Sequence, residues 1–312
     1  MIRRWVAFWD QREPATPLAV TRICVGLVVL FDLLIAKYQG AVPALWSAPP
    51  VGLAWGASSD PAPLATRWLG ASPHAAELLW GIAFAAALLM TLGALHRVAG
   101  LVLTVALIEL ARLEPDGDAI DQLLRVVVPV LALSRANARF ALDAWFWRWR
   151  GKPPPENVPA WPRYLLILQL LWMYFSAAQN RLDPAWYPQG GFSAISHVLG
   201  DPHFARFAPG TLRRIYPLTQ LATALTMVFE GSAPLMLLWL WLDPASGEPR
   251  GGKFGALTRA LGVRWIWLAL GASLHVGIVV TMQLGIFPFG MLALYPLLLR
   301  PEEYERVAAR LL

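Results

Sequence analysis

The chain has 312 residues, of which 57% are hydrophobic and only 15% charged, and its mean hydropathy is +0.50. Soluble domains carry about 25% charged and roughly 45–50% apolar residues, so this composition excludes a soluble globular chain, a disordered one and a disulfide scaffold, the lone Cys24 having no internal partner. The net charge of +6 in so apolar a chain points to basic loops at one membrane face rather than to nucleic acid.

A membrane-crossing helix needs about 20 mostly apolar residues. The expectation is an all-α, polytopic integral membrane helix bundle forming a single domain over 1–312. About eight transmembrane helices are expected: 16–36, 75–95, 97–113, 119–134, 163–181, 218–242, 264–285 and 287–300. The first run carries Arg22 and Asp32, too polar for a cleaved leader, and reads as a retained span. Running outward, it sets Asp32 about one turn from the outer face. Arg22 lies near the inner end, where it can reach a loop carbonyl. The segment 37–74, with Pro43, Trp46, Pro49 and Pro50, reads as a cap folded over the bundle. Runs two and three, separated only by His96 and Arg97, form an antiparallel hairpin with Glu109 in its second arm. After a turn containing Asp116, Gly117 and Asp118, the fourth run carries Asp121 and Arg125 at a spacing that lets them pair on one face.

The linker Gly151–Pro162 holds Pro153, Pro154 and Pro155 and reads as extended. The fifth run ends outside in Gln179, Asn180, Arg181, Leu182 and Asp183, and a second long outer segment, 182–217, follows with Pro184, Trp186, Tyr187 and Pro188. Glu230 falls near the middle of the sixth run. After the linker Asp243–Gly262, His275 falls near the middle of the seventh. At similar depth these two can form a hydrogen-bonded pair. With a cytoplasmic N-terminus, 17 of the 26 Lys and Arg residues lie inside, including Arg3, Arg4 and Arg250, and 7 outside, while Arg22 and Arg125 lie within helices. That bias predicts that both termini are cytoplasmic. It makes the protein a multi-pass protein of the cell membrane, the inner membrane in a bacterium.

Many of the 16 tryptophans sit at run ends: Trp145, Trp147, Trp149 and Trp161; Trp239 and Trp241; Trp265 and Trp267. They read as an interfacial aromatic belt. No nucleotide-binding, zinc-hydrolase or α/β-hydrolase motif occurs. No metal-ligand spacing links His74, His96, His197 and His203, so no metal is expected.

The order of several short motifs resembles the HTTM family (horizontally transferred transmembrane domain), which includes the vitamin K-dependent gamma-glutamyl carboxylases. Thr21-Arg22-Ile23, Gly26 and Asp32-Leu33-Leu34 resemble its opening helix. Asp118 followed by Asp121-Gln122-Leu123-Leu124-Arg125 resembles a bacterial helix start. Tyr174-Phe175, Arg181-Leu182-Asp183, Trp186 and Gly190 are similar to its "Tyr-Phe … Lys-Leu-Asp … Trp … Gly" block, and Phe229-Glu230, Pro234, His275 and Phe287 to its later helices. The resemblance implies the fold and a reduced quinone, vitamin K-like, as cofactor. In the carboxylases the lysine of the block is the base that starts the reaction. Here Arg181 stands there, and a guanidinium stays charged. The histidine of the fourth segment is replaced by the Asp118–Asp121 stretch, and the large lumenal substrate domain is expected to be missing. These departures argue against glutamate carboxylation.

Three functions stay open. The first is a membrane enzyme with an outward-facing polar cavity for a quinone, lipid or peptide. Asp121, Arg181, Glu230 and His275 are its candidate catalytic residues. Asp32, Arg125, Tyr174, Asn180 and Trp186 are its candidate cofactor-binding residues. The second is a non-catalytic membrane partner, a maturation or immunity factor for an exported peptide or protein. The third is a transporter, which the lack of matching broken helices disfavours.

Overall fold

A computed structural model describes residues 6, 9–59, 61–113, 119–242 and 251–311. Arg3, Arg4, Arg250 and the Asp116–Asp118 turn, all part of the sequence reading, lie outside them. The described chain is α-helical apart from one short two-stranded pairing, and it divides into two compact units. Unit 1 is 1–166 with 296–312, and unit 2 is 167–295.

Unit 1 contains β1 (Arg12–Pro14), α1 (Thr16–Tyr38), α2 (Ala41–Trp46), α3 (Leu64–Leu69), α4 (Pro73–Leu92), α5 (His96–Leu113), α6 (Ala119–Leu133), α7 (Leu142–Trp149), β2 (Asn157–Pro159) and the start of α8 (Trp161–Gln179). The boundaries follow local chemistry. Pro17 opens α1, and Ser72 accepts the Ala75 N–H to cap α4. Gly93, at φ +66°, closes α4 in a left-handed conformation that disfavours a side chain. Helix α1 packs on α4, α4 on α5 and α5 on α6. A Cβ on Gly26 would strike Thr91, and one on Gly100 would strike Ala132. Small residues at crossings let backbones approach where lipid supplies no hydrophobic drive.

Buried polar residues of unit 1 serve as locks. Arg22, fully buried, donates to the carbonyls of Ala136 and Phe140, the loop contact expected of it. Glu109 accepts the Ala65 N–H at 2.6 Å and so caps α3. Helices α2 and α3 pack on α4, which makes the 37–74 segment a cap on the bundle. Beside α1, β1 pairs antiparallel with β2, Glu13 opposite Val158, so the 151–162 linker is partly ordered by pairing. Arg163 then joins three stretches: it donates to Glu13 at 2.7 Å and to the carbonyls of Leu297 and Leu299. Burial pushes the Glu13 carboxyl above its ordinary value, and the Arg163 guanidinium pulls against that shift.

Unit 2 begins within α8 and adds α9 (Ala194–Gly200), α10 (Pro209–Gly231), α11 (Ala233–Leu242), α12 (Gly252–Ala260), α13 (Val263–Thr281) and α14 (Phe287–Leu292). Helix α10 packs on α9 and α13, and α13 on α14. Among the described residues, α1, α4 and α13 are long and apolar enough to cross a membrane. A fourth crossing arises if the bent pair formed by Arg214–Gly231 and Ala233–Leu242 is one span.

Three expected runs differ in outline. The 218–242 run is longer and broken: α10 starts at Pro209, and a 46° bend separates it from α11. Pro234 has no N–H to give the carbonyl four residues back, so the helix cannot continue straight. The 287–300 run is not one helix but α14 followed by a 3-10 turn, Tyr295–Leu298, with Pro296 inside it. The 264–285 run stops at Thr281, because Met282 leaves the helix to bridge Ala205.

Candidate functional site

Three helices of unit 2 bury one face each. On α8 the buried residues Ile167, Leu170, Leu171, Tyr174 and Ala178 recur at helical spacing. On α13 they are Arg264, Trp267, Leu268, Gly271 and His275. On α10 the buried face is polar at first, Thr219, Thr223 and Thr226, and ends in Phe229 and Glu230. Each threonine hydroxyl donates back to a carbonyl of its own helix, and Thr223 Oγ1 also accepts the Ile195 N–H of α9 at 3.3 Å.

The faces meet in an aromatic and hydrogen-bonded cluster. The Tyr174 hydroxyl lies 2.7 Å from His275 Nε2 and 3.0 Å from the Tyr295 hydroxyl. The Tyr174 ring meets Phe229 edge-on at 4.7 Å and Trp267 at 5.7 Å, while Phe229 and Trp267 lie 4.5 Å apart. Phe287 and Tyr295 flank the His275 ring. The Trp267 indole donates to the Phe229 carbonyl at 3.2 Å. That carbonyl also accepts the Ser232 hydroxyl at 2.9 Å, and it can take both side-chain donors because α10 ends two residues later. Gly271 makes the approach possible, since a Cβ there would strike the Tyr295 hydroxyl and the Phe229 ring. Among the described residues, His275 Nδ1 is buried with no hydrogen-bond partner.

Glu230 follows Phe229 and extends the cluster to Arg181. The guanidinium grips the carboxylate with two bonds, Nε to Oε2 and Nη2 to Oε1, each 2.6 Å. Such a fork is directional and strong. Arg181 is placed by the turn after α8. The Asn180 side chain donates back to the Ser176 carbonyl at 2.9 Å, closing the helix end. Asp183 accepts the Ala185 N–H and caps a 3-10 turn, Pro184–Trp186, which presents its indole to Arg181. The guanidinium carbon sits 3.7 Å from that ring centre. Glu230 is 6% exposed and Arg181 22%, so the far edge of the guanidinium is the polar end of the cluster that solvent reaches.

Of the residues expected in a site, Tyr174, Arg181, Trp186, Glu230 and His275 are joined by a continuous chain of contacts in unit 2. Asn180 belongs to the same turn, but its side chain faces Ser176. Asp32 on α1 and Asp121 and Arg125 on α6 belong to unit 1. The expected Glu230–His275 pair is replaced by two others. Glu230 sits at a helix end beside the Arg181 turn, while His275 Nε2 engages Tyr174. Trp267, assigned from the sequence to an interfacial belt, is 4% exposed and belongs to the core of the cluster. Tyr295 and Gly271 escape the sequence reading. The signal for Gly271 is its place in the α13 pattern, where a glycine marks a close approach. Tyr295, in a 3-10 turn, carries no comparable period.

A protein-family model described as HTTM domain matches residues 11–240. The match takes in Tyr174, Arg181, Trp186 and Glu230 and ends before α13, so Trp267, His275 and Tyr295 lie beyond it. No curated protein and no solved structure matches the chain.

Proposed function

Because the chain belongs to the HTTM family, we propose that it is a multi-pass membrane protein that binds the head group of a quinone or related lipid at the Arg181 end of the Tyr174–His275–Tyr295 cluster. What supports this reading is the contact chain that runs from Trp186 through Arg181, Glu230 and Phe229 to Tyr174 and His275. It offers an exposed edge of cationic donors above buried phenol and imidazole groups, with aromatic rings as walls. A quinone oxygen fits such donors, and its ring fits such walls. Glutamate carboxylation is not part of the proposal. The guanidinium keeps its proton and already holds Glu230, so Arg181 serves as an anchor and not as the base. In this reading the chain is one domain, 1–312, and the proposed site draws only on residues of unit 2.

Quenching of indole fluorescence in detergent-solubilised protein, titrated with a short-chain naphthoquinol and its quinone, tests the proposal. Saturable quenching is expected in the wild type and in Arg181→Lys, and its loss in Arg181→Ala. Equal quenching in all three overturns it. The non-catalytic reading draws on the closed Arg181–Glu230 pair, which leaves no obvious base. It expects no quinone response and a crosslinked peptide or protein partner on the 182–217 segment in native membranes.

The topology proposed with this function keeps eight crossings and both termini in the cytoplasm. Cysteine labelling of positions in 37–74 and 182–217 from outside intact cells, in a Cys24→Ser background, checks it. Labelling of 151–162 from outside would reverse the orientation.

A further inference from the structure

Helix α7 is eight residues long, and its residues Leu142, Trp145, Phe146 and Trp149 recur at i, i+3, i+4 and i+7. That spacing gathers them into one apolar stripe. A soluble protein turns such a stripe inward, but here it faces out. Leu142 is 49% exposed, Trp145 61%, Phe146 38% and Trp149 71%, while Ala144 on the opposite side is fully buried.

The orientation is enforced. Asp143 accepts the backbone N–H groups of Leu95 and His96 and the Asn137 amide, and its own N–H donates to the Gly93 carbonyl at 3.0 Å. These bonds clamp α7 against the turn between α4 and α5 with its stripe outward. At about 1.5 Å per residue the helix is roughly 12 Å long, too short to cross a membrane. Its setting is also basic. Arg148 and Arg150 border the stripe and Lys152 follows, all exposed. The Arg150 guanidinium lies 4.2 Å from the Phe146 ring centre, and Phe146 stacks on Trp149. Among the described residues, no carboxylate forms an ion pair with these three cations. The one acid of the helix, Asp143, is spent on the clamp.

The geometry points to α7 as an interfacial helix that binds anionic phospholipid. Trp145, Phe146 and Trp149 enter the boundary between head groups and acyl chains, and Arg148, Arg150 and Lys152 take the lipid phosphates. The aromatic stripe alone fits any bilayer. The three cations without ion pairs select a negatively charged leaflet, to which each basic residue near the surface adds attraction.

Thermal unfolding of the full chain in neutral detergent, titrated with phosphatidylglycerol or phosphatidylcholine, tests this. Phosphatidylglycerol should raise the wild-type melting temperature at lower lipid fractions than phosphatidylcholine, with the advantage shrinking as salt rises. The R148Q/R150Q/K152Q variant should melt normally without lipid but lose apparent phosphatidylglycerol affinity by roughly fivefold per cation removed at low salt. The W145A/W149A variant should weaken both lipids alike. Equal responses to the two lipids in the wild type overturn the proposal. So does a triple variant with the wild-type phosphatidylglycerol response, or a crosslink from position 142 to a second protein without lipid dependence.

Discussion

Two arginine–glutamate pairs of similar length hold different parts of the molecule, Arg163–Glu13 at 2.7 Å and Arg181–Glu230 at 2.6 Å. In the first, both side chains are almost wholly buried, and the guanidinium spends its donors on three partners: Glu13, the Leu297 carbonyl and the Leu299 carbonyl. Every bond joins a different stretch of chain, so the arginine acts as a rivet. In the second, two donors go to one carboxylate, one face rests on Trp186 and an edge stays accessible. Burial therefore does not mark a site. What does is the capacity left over once the structural bonds are made.

The comparison is easiest to break at the rivet. Arg163→Ala strands a buried carboxylate and should cost about 3–5 kcal/mol in detergent unfolding measurements. A loss below about 1 kcal/mol would show that the joint is dispensable. This loss should also depend on pH. The folded Glu13 carboxyl lies above its ordinary value of 4.5, so the folded state binds a proton there more readily than the unfolded chain does, and stability contributed by that group falls as pH rises. Without the guanidinium the carboxyl rises further, and Arg163→Ala should be less damaging at pH 5 than at pH 8.

Next comes Gly271→Ala, whose methyl meets the Phe229 ring and the Tyr295 hydroxyl. Overpacking of this kind costs typically 1–3 kcal/mol, read as a lower melting temperature and a changed near-ultraviolet aromatic signal. Arg181→Ala should cost less than Arg163→Ala, about 1–2 kcal/mol, because water can reach part of the broken pair. An equal cost would erase the distinction between rivet and anchor. The smallest effect is the coupling of Arg181 to Trp186. A double-mutant cycle should give about 0.5–2 kcal/mol for the cation–ring contact.

Much of the fold can be read without coordinates, for a clear reason. A long apolar window has few alternatives to a helix, so α1, α4 and α13 fall within a few residues of their expected starts. The bend between α10 and α11 is invisible to hydropathy. Pro234 barely alters the apolar average while removing a helix bond. Glu230 and His275 stand out because an ionisable group in an apolar run is costly, but their partners do not follow from depth. Arg181 is 49 residues from Glu230, and only packing brings them together. Trp267 shows the limit of composition. An indole at the end of an apolar run suits a lipid interface and a protein core equally well, and only its exposure separates the two.

The break after Gly231 also sets the charge logic of the Arg181 pair. A helix ends in unpaired carbonyls, which give its C-terminus a partial negative charge. Glu230 sits in the last turn of α10, where an anion meets repulsion from its own helix. A fixed cation at that point offsets both the carboxylate and the axial dipole, and the dipole contribution alone is worth about 0.3–1 kcal/mol. A side chain able to shed its proton would at times leave two negative ends facing each other. Arginine never does, so the end of α10 stays electrostatically quiet while the cation remains in place.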